Sequence, residues 1–458
     1  MGEGTGRRRK PELLMPAASL EVLRTAVVFG ADAVYIGGEA FGLRAKAKNF
    51  SPEEMAEGIV FAHNRGVKVY VTANIFAHNS DLAGAERYFQ ELRDMKPEPC
   101  DGLIISDPGM FALARRVWPE GEIHISTQAN STNCESFRFW RQLGAKRVVA
   151  ARELSLEEIR DIRKQLPEDM EIECFVHGAM CISYSGRCLL SSYFTGRDAN
   201  QGACTHPCRW KYSVAEETRP GEYLPVYENE RGTFLFNSRD LCMVEYIPEL
   251  VEAGIDSLKV EGRMKTALYV ATVARAYRRA IDDYFDSPET YRSGLDWYRA
   301  EAAKCTHRQF STGFYFGKPG EESQIYDSST YVNEYVYLGA VEEVWSEEET
   351  QAGRLPWMGK EEPAAGLLSW TEGGKPAAGF SLVRITQRNK FSQGDMIEIM
   401  KPDGRNLSAR VEALYSQEGV PMESCPHGKQ VFWALLSGEA GQHDLLRTER
   451  VEQGLQQG

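Results

Sequence analysis

The chain has 458 residues, of which 42% are hydrophobic and 26% are charged, a balance that is typical of globular proteins and excludes disordered or collagen-like chains. Its formal net charge of −13 excludes a general attraction to nucleic acid, so an RNA partner would need a local basic patch. The length favours one barrel-sized domain followed by a smaller second domain.

Residues 1–10 form a basic tail that contains Arg7, Arg8, Arg9 and Lys10. The tail leads directly into a strand-like run, without the apolar stretch and cleavage site of a secretory signal. No later apolar segment reaches membrane-spanning length. We therefore expect a soluble cytoplasmic protein with no membrane partner, in which the ten cysteines stay reduced. The sequence leaves open whether the chain forms a homo- or hetero-oligomer.

Residues 11–330 alternate short β-branched runs with amphipathic helical runs, a pattern that is typical of βαβ units around a parallel sheet. Ser51 and Ser155 each precede acidic residues and predict helix N-caps. Because eight strand-like runs are present, we predict an α/β fold of the (β/α)8 TIM-like barrel type. The eight runs are ELLMPA, DAVYIGG, KVYVTAN, GLIISD, EIHISTQ, RVVAARE, EIECFVHG and SLKVEG.

Residues 331–458 change to short strands separated by Gly- and Pro-rich turns, which predicts a small C-terminal β-barrel domain, with a sandwich as the alternative. Between the first two strands, residues 347–366 predict a long polar loop. The predicted strands are YVYLGAVEEVW, FSLVRITQ, GDMIEIMKP, ARVEALY and QVFWALL.

An insertion at about 181–232, after the seventh strand, concentrates four cysteines within 28 residues. Iron–sulfur clusters accept four thiolates at variable spacings, whereas structural zinc sites favour closer pairs. An iron–sulfur cluster is therefore the favoured interpretation, and zinc or unliganded buried thiols remain the alternatives. Cys242, in a segment predicted to open the next helix, is a reserve ligand. The four predicted metal ligands are Cys181, Cys188, Cys204 and Cys208.

Polar residues follow the predicted strands, where a barrel of this type places its reactive groups. Arg44, Arg152 and Arg263 are candidates to bind carboxylates of a small substrate, because guanidinium groups bind carboxylates in a bidentate manner. Asn74 and Gln128 are further candidate substrate-binding residues. The alternative for each residue is a loop cap or a salt bridge of the scaffold.

His177, Glu173 and Glu261 are the candidate catalytic residues. His177 lies four residues before Cys181 and titrates near neutral pH when exposed, so it could transfer a proton near the metal. A core histidine is the alternative. Buried carboxylates could also move protons, although Glu173 and Glu261 could instead pair with Lys259 or Arg263. Trp210, beside the last clustered cysteine, could stack on an unpaired base or cover the cluster from solvent.

The segment from Glu173 to Ser191 carries the motif E-x-F-x2-G-A-x-C-x4-G-x-C-x-L-S and resembles the signature of peptidase family U32. The resemblance extends over roughly the whole chain. Residues 200–210, NQGACTHPCRW, are similar to the branch that makes 5-hydroxyuridine at the wobble position of tRNA.

This resemblance implies a tRNA partner, prephenate as the small-molecule hydroxyl donor, and a four-iron four-sulfur cluster held by the four cysteines. Other branches of the family imply rRNA or quinone hydroxylation on the same scaffold. The family name also implies a collagenase-like peptidase as an alternative. The chain has no HExxH or GxSxG motif, so a peptidase would have to use a thiolate activated by a histidine such as His177 or His206.

Overall fold

The computed structural model describes residues 9–42, 49–181, 183–210, 228–229, 232–233, 238–318, 331–345, 356, 371–372, 375–376 and 379–450. The chain forms two units, of which the first comprises Met1–Ala303 and His307–Val332 and the second comprises Lys304–Thr306 and Asn333–Gly458.

The first unit is built around eight parallel strands that close into a barrel. Each strand pairs with its neighbour in order along the chain, and the last strand pairs with both the seventh and the first. All eight predicted runs form these strands, which confirms the TIM-like barrel. The strands are β1 (Glu12–Pro16), β2 (Ala33–Gly37), β3 (Lys68–Ala73), β4 (Gly102–Ile105), β5 (Glu122–Ile125), β6 (Arg147–Val149), β7 (Glu171–Ala179) and β11 (Ser257–Val260).

Helices of the first unit connect these strands and lie outside the barrel. Ser51 and Ser155 begin two of them as capping boxes, in which the serine hydroxyl accepts from a backbone N–H and a glutamate accepts in return. No helix in the described ranges is both long enough and apolar enough to span a bilayer. The helices are α1 (Leu20–Val28), α2 (Pro52–His63), α3 (Asn79–Arg93), α4 (Pro108–Val117), α5 (Cys134–Gln142), α6 (Leu156–Lys164), α7 (Leu190–Thr195), α8 (Ile247–Glu252), α9 (Ala267–Asp286) and α10 (Pro288–Ala303).

The barrel interior holds a buried apolar cluster next to a buried group of charged residues. Residues of β1 to β4 form the apolar cluster, which comprises Leu14, Ala33, Tyr35, Tyr70 and Ile104. Buried Arg147 lies 5.4 Å from the ring centre of Tyr70 and binds Glu12, Glu171 and Glu173, with N–O distances of 2.6 to 3.0 Å. Such buried ions need partners because desolvation is costly, and every one of these carboxylates has one.

The cysteine-rich insertion leaves β7 and folds back over the loops at the carboxyl ends of the barrel strands. Gln201 donates to the carbonyl of Phe76, and Asn130 donates to the carbonyl of Ser185 across 2.9 Å. The described part contains α7 and two-residue strands β8 (Glu228–Asn229) and β9 (Gly232–Thr233). The chain then returns in β10 (Asp240–Cys242), which pairs antiparallel with β7 and parallel with β12 (Phe310–Ser311).

The second unit contains a closed barrel of six antiparallel strands, which confirms the predicted β-barrel. All five predicted strands are present, and the sixth, β21, was missed. The predicted loop at 347–366 lies, except for Pro356, outside the described residues. The six strands are β13 (Tyr335–Val344), β16 (Phe380–Gln387), β17 (Met396–Met400), β18 (Asn406–Tyr415), β20 (Val431–Ser437) and β21 (Leu445–Glu449); the short strands are β14 (Thr371–Glu372), β15 (Lys375–Pro376) and β19 (Pro421–Met422).

Candidate active site

A cavity of about 440 Å³ opens at the carboxyl ends of the barrel strands, where enzymes of this fold place their reactive groups. One part of its wall comes from the loops that follow β3, β5, β6 and β11. The other part comes from the end of β7 and from the cysteine-rich insertion. The predicted barrel mouth and the predicted metal-binding segment therefore share one space.

Asn74 and Gln128 join the loops after β3 and β5 and line the cavity. The Oε1 atom of Gln128 accepts from Nδ2 of Asn74 across 2.8 Å, from Oγ of Ser106 across 3.2 Å and from Oγ of Ser126 across 3.4 Å. Three donors fix this amide so that its Nε2 group is the one left to donate to a ligand. The structure brings both predicted residues to the site.

Two predicted arginines line the same cavity. Arg152 donates to the carbonyl of Ala179 across 3.1 Å, lies 3.7 Å from a carboxylate oxygen of Glu261, and stacks 4.0 Å over the ring of Phe175. Arg263 is 4% exposed and donates to Oγ1 of Thr72 across 2.9 Å. Both guanidinium groups are therefore held in place before any ligand binds. Arg44 lies outside the described residues.

Gly37, at the end of β2, provides the room that Arg263 occupies. A Cβ atom at this position would lie 1.9 Å from Nη2 of Arg263, which is shorter than any real contact. Arg263 can therefore occupy this position only because residue 37 has no side chain.

Two lysines that were not among the predicted site residues also line the cavity. Lys259 donates to Glu173 across 2.7 Å and lies 4.6 Å from the ring centre of Tyr35. Lys265 lies 4.9 Å from the ring centre of Tyr269. With the two arginines, four cationic side chains face the cavity, and Glu261 is the one acidic residue in its described lining. This surplus of positive charge favours an anionic ligand.

Glu173, a predicted catalytic residue, lies below the cavity and not in its wall. Its carboxylate is fully buried and accepts from Lys259 and from Arg147 across 2.7 and 3.0 Å. Burial opposes ionisation, but the charges of Lys259 and Arg147 outweigh it and hold the pKa of Glu173 below its ordinary value. The arrangement matches the ion-pair alternative to a proton carrier, with Lys259 as one partner.

Glu261 does line the cavity, and its ion-pair partner there is Arg152. Its backbone N–H donates to the carbonyl of His177 across 2.8 Å, and its carbonyl accepts from Tyr269 across 2.9 Å. The carboxylate is thus presented from a fixed backbone.

His177 is buried behind the cavity wall and is not among the lining residues. Its ring packs against those of Tyr269, Tyr277 and Phe310, with centroids 5.5 to 6.0 Å apart. Burial, with the nearby positive charges of His307 and Lys265, lowers the pKa of His177 to about 3, so the ring is neutral at physiological pH. This position matches the core-histidine alternative, and the catalytic role stays a prediction.

All four clustered cysteines line the cavity and none forms a disulfide; Cys181 is exposed and the other three are half-buried. In the part of the chain that is described, no three His, Cys, Asp or Glu side chains converge on the position of a single metal ion. A structural zinc site needs four ligands around one atom. Four thiolates hold a four-iron four-sulfur cluster, and the four cysteines that line the cavity supply ligands of this type; the metal stays a prediction. The four cysteines are Cys181, Cys188, Cys204 and Cys208.

Cys242 does not open a helix, and that prediction was wrong. It lies in β10, where it pairs with His177 of β7, and the helix α8 begins only at Ile247. The residue is buried and is absent from the cavity lining. Burial raises the pKa of its thiol to about 11. Cys242 is therefore not brought together with the four clustered cysteines.

Trp210 lies at the surface of the insertion, 40% exposed, and is not in the cavity lining. Its ring centroid is 6.1 Å from that of Phe194. Trp210 therefore does not line the cavity, and base stacking stays a prediction.

The comparisons with known proteins agree on one family. Two family models match, the one described as Peptidase family U32 over residues 18–325 and the one described as Peptidase family U32 C-terminal domain over residues 373–447. A Bacillus subtilis (strain 168) protein named tRNA hydroxylation protein P1 is 40% identical over 423 residues, which cover 92% of this chain and 91% of the relative.

Two other relatives carry different names. A Methanocaldococcus jannaschii protein named as an uncharacterized protease is 43% identical over 308 residues, which cover 67% of this chain and 73% of the relative. An Escherichia coli (strain K12) protein named as a 23S rRNA 5-hydroxycytidine synthase is 38% identical over 271 residues, which cover 59% of this chain and 39% of the relative.

Proposed function

The chain belongs to peptidase family U32, and from this premise we propose that it is an RNA-modifying enzyme that hydroxylates the wobble uridine of tRNA to 5-hydroxyuridine. The similarity to the Bacillus subtilis tRNA hydroxylation protein supports this proposal because it extends over nearly the full length of both chains. A tRNA substrate would place the enzyme in the cytoplasm.

The observation that carries the proposal is that four cysteines and a cationic wall line one cavity. A thiolate-rich segment suits a redox metal cluster, and cationic side chains suit a small anionic co-substrate. A hydroxylation that uses a soluble hydroxyl donor needs both partners beside the base that is modified.

Cys181, Cys188, Cys204 and Cys208 would hold a four-iron four-sulfur cluster, which when bound supplies electron transfer or Lewis-acid chemistry. The protein's own residues then have to bind the donor, orient it and keep competing water away. The fixed guanidinium groups of Arg152 and Arg263 are suited to orienting, because their positions are set by protein contacts and not by the ligand.

The donor proposed is prephenate, which carries two carboxylates. Arg152 and Arg263 present two guanidinium groups to the cavity, and Lys259 adds an ammonium held by Glu173. The Nε2 group of Gln128 can donate to a hydroxyl or carboxylate oxygen of the donor. Glu261 is the lining group that can accept a proton or a hydrogen bond from it.

Proteolysis is the competing function that the family name raises. A thiol protease needs a depressed thiol pKa and a protonated histidine beside it. Cys242 and His177, which pair across β10 and β7, have the opposite pattern, because burial raises the pKa of the thiol to about 11 and lowers that of the imidazole to about 3. This buried pair therefore does not support a peptidase. His206, the other candidate histidine, lines the cavity with the four clustered cysteines and is the one that a thiol protease would have to use.

Mass analysis of tRNA nucleosides from a strain lacking the gene tests the proposal. We expect 5-hydroxyuridine and its derivatives to disappear and to return with the intact gene on a plasmid. Normal tRNA with a loss of hydroxylated rRNA, or of hydroxylated quinone, would instead assign the enzyme to another substrate. Normal levels of all three, with cleavage of gelatin by the purified chain, would establish the peptidase.

A further inference from the structure

Exposed apolar side chains concentrate on the cysteine-rich insertion. In the described part of the chain, twelve large hydrophobic residues are exposed, and five of them lie within residues 184–210. Single exposed apolar residues are ordinary, but a contiguous group indicates a binding surface. We call this group the insertion face; it comprises Tyr184, Leu189, Tyr193, Phe194 and Trp210.

Three aromatic rings of the insertion face, those of Tyr193, Phe194 and Trp210, lie in a contiguous row. The centroids of Tyr193 and Phe194 are 5.1 Å apart, and those of Phe194 and Trp210 are 6.1 Å apart. Tyr193 is 83% exposed, so almost none of its surface is used in packing. Burying such a ring only on binding would contribute to affinity without a large cost in side-chain entropy.

The backbone under these rings is held by hydrogen bonds. Ser191 Oγ lies 3.1 Å from Oγ1 of Thr205, which ties α7 to the segment before Trp210. Thr205 also donates its backbone N–H to Ser191 across 3.1 Å. The rings are therefore displayed from an ordered platform that is anchored to the barrel loops at Phe76 and Asn130.

The stretch of the insertion that carries this face, residues 181–210, is basic, although the insertion as a whole, residues 181–232, has no net charge. Residues 181–210 contain three arginines and one aspartate, a net charge of +2 in a chain whose net charge is −13. The aspartate, Asp198, accepts from the N–H of Asn200 across 2.7 Å as a local cap. Arg187 and Arg197 are exposed, and Arg187 donates from Nε to Oδ1 of Asn130 across 2.8 Å. Positive charge beside exposed aromatic rings is complementary to single-stranded nucleic acid.

The insertion face borders the active-site cavity. Ser185, Gly186 and Cys188 line the cavity between Tyr184 and Leu189 in the chain, and Cys208 lines it two residues before Trp210. Two more exposed residues, Met264 and Tyr331, belong to the cavity lining itself. A polymer lying on this face would therefore have its neighbouring unit at the cavity mouth.

We propose that the insertion face is the platform for a single-stranded RNA loop, with unpaired bases stacked on Tyr193, Phe194 and Trp210. Arg187 and Arg197 contact the phosphates, and the nucleotide next to the stacked bases enters the cavity. This inference rests on the proposed function and adds the part of the RNA that is recognised. Unpaired loop bases are the usual target of aromatic readers, because a base inside a helix has no free face.

Binding of RNA to the full chain, isolated without oxygen, tests the inference. The probe is a synthetic stem–loop with a seven-nucleotide loop, and a fully paired duplex of equal length is the competitor. We expect Tyr193→Ala and Trp210→Ala each to weaken stem–loop binding about 5- to 100-fold, the range known for stacked bases. Phe139→Ala removes a ring that is 52% exposed on α5 and is the matched control, with no change expected.

The arginines give a second readout. Arg197→Gln should weaken binding and lower the slope of log affinity against log salt by about one unit, since one phosphate contact is lost. Unchanged metal content and circular dichroism would show that each variant is folded.

The outcomes separate this inference from the proposed function. If the wild type modifies tRNA but the Tyr193 and Trp210 variants bind the stem–loop as tightly as Phe139→Ala does, the inference is wrong and the function stands. If the variants keep RNA binding and lose self-association in sedimentation, the face is an interface between copies, which also overturns it. If the wild type neither binds the stem–loop nor modifies tRNA, the proposed function itself fails.

Discussion

Lys259, which lines the active-site cavity, donates its ammonium to the carboxylate of Glu173 across 2.7 Å, and Glu173 lies outside the lining. Lys259 faces the cavity, whereas Glu173 faces the buried Arg147 below it. The carboxylate therefore orients a cation toward the ligand and is itself held by a second cation.

Lys259→Met should weaken binding of the anionic donor. A hydrogen bond to a charged group contributes about 1.5–3 kcal/mol, so we expect the KM for prephenate to rise about 10- to 100-fold. Lys68→Met, which changes an exposed lysine at the start of β3, is the control and should leave KM unchanged. Steady-state kinetics on purified enzyme check this, and equal KM values for the two variants would contradict it.

Glu173→Gln should destabilise the first unit. The change leaves two buried cations short of their shared carboxylate, and breaking a buried ion pair costs about 3–5 kcal/mol. Urea unfolding of the variant measures this loss. The double variant Glu173→Gln with Lys259→Met should recover part of it, because one uncompensated charge is removed. A double variant less stable than the single one would show that the pairing is not the cause.

The stability that Glu173 provides should depend on pH with a defined sign. Despite burial, Lys259 and Arg147 hold the pKa of Glu173 below its ordinary value of 4.5. As the pH falls, the Glu173 carboxylate therefore takes up its proton at a higher pH in the unfolded chain than in the folded chain. The gap in unfolding free energy between wild type and Glu173→Gln should be constant near neutrality and should shrink below about pH 4.5, as the pH falls through the folded-state pKa. A gap that widens in acid would contradict this.

Gly37→Ala should displace Arg263, because the new Cβ would lie 1.9 Å from Nη2 of that arginine. A shift of about 1 Å in a positioning group can lower activity about 100-fold. Gly428→Ala is the control, since a Cβ at that position would meet nothing within 4 Å. Activity and donor affinity are measured for both variants. Full activity in Gly37→Ala would show that the position of Arg263 does not matter for the reaction.

Substitution of each clustered cysteine by serine should lower the iron content of protein purified without oxygen, because a thiolate ligand is lost. Cys188→Ser represents the four changes, since all four residues line the cavity. Cys134→Ser, a half-buried thiol at the start of α5, is the control. Cys242→Ser should also retain iron, because Cys242 is not in the cavity lining. Zinc in place of iron in wild-type protein would exclude the cluster.

The eight barrel strands were predictable from sequence because alternation of strand and helix is a local signal, and capping by Ser51 and Ser155 is local as well. Strand β21 was missed because its five residues, LLRTE, carry little pattern, and its pairing with β13 and β17 is what defines it. Cys242 was placed in a helix because its pairing with β7 is a long-range contact.

Within the site, strand ends located Asn74, Gln128, Arg152, Glu261 and Arg263 correctly at one cavity. Lys259 was not predicted as a site residue. Successive side chains of a strand point to opposite faces. Because Lys259 stands between Leu258 and Val260, which are both fully buried, the sequence order was the available signal that Lys259 faces the barrel interior. His177 is adjacent to the cysteines in sequence but is turned into the core, and sequence distance cannot show the direction of a side chain.

The most direct measurement of the central claim is the amount of 5-hydroxyuridine in tRNA from a gene-deleted strain that carries either the wild-type gene or the Cys188→Ser variant. We predict the normal amount with the wild-type gene, none with the variant, and the normal amount with Cys134→Ser at equal protein levels. The modified nucleoside at wild-type levels in the deleted strain, or in the strain with Cys188→Ser, would contradict the account.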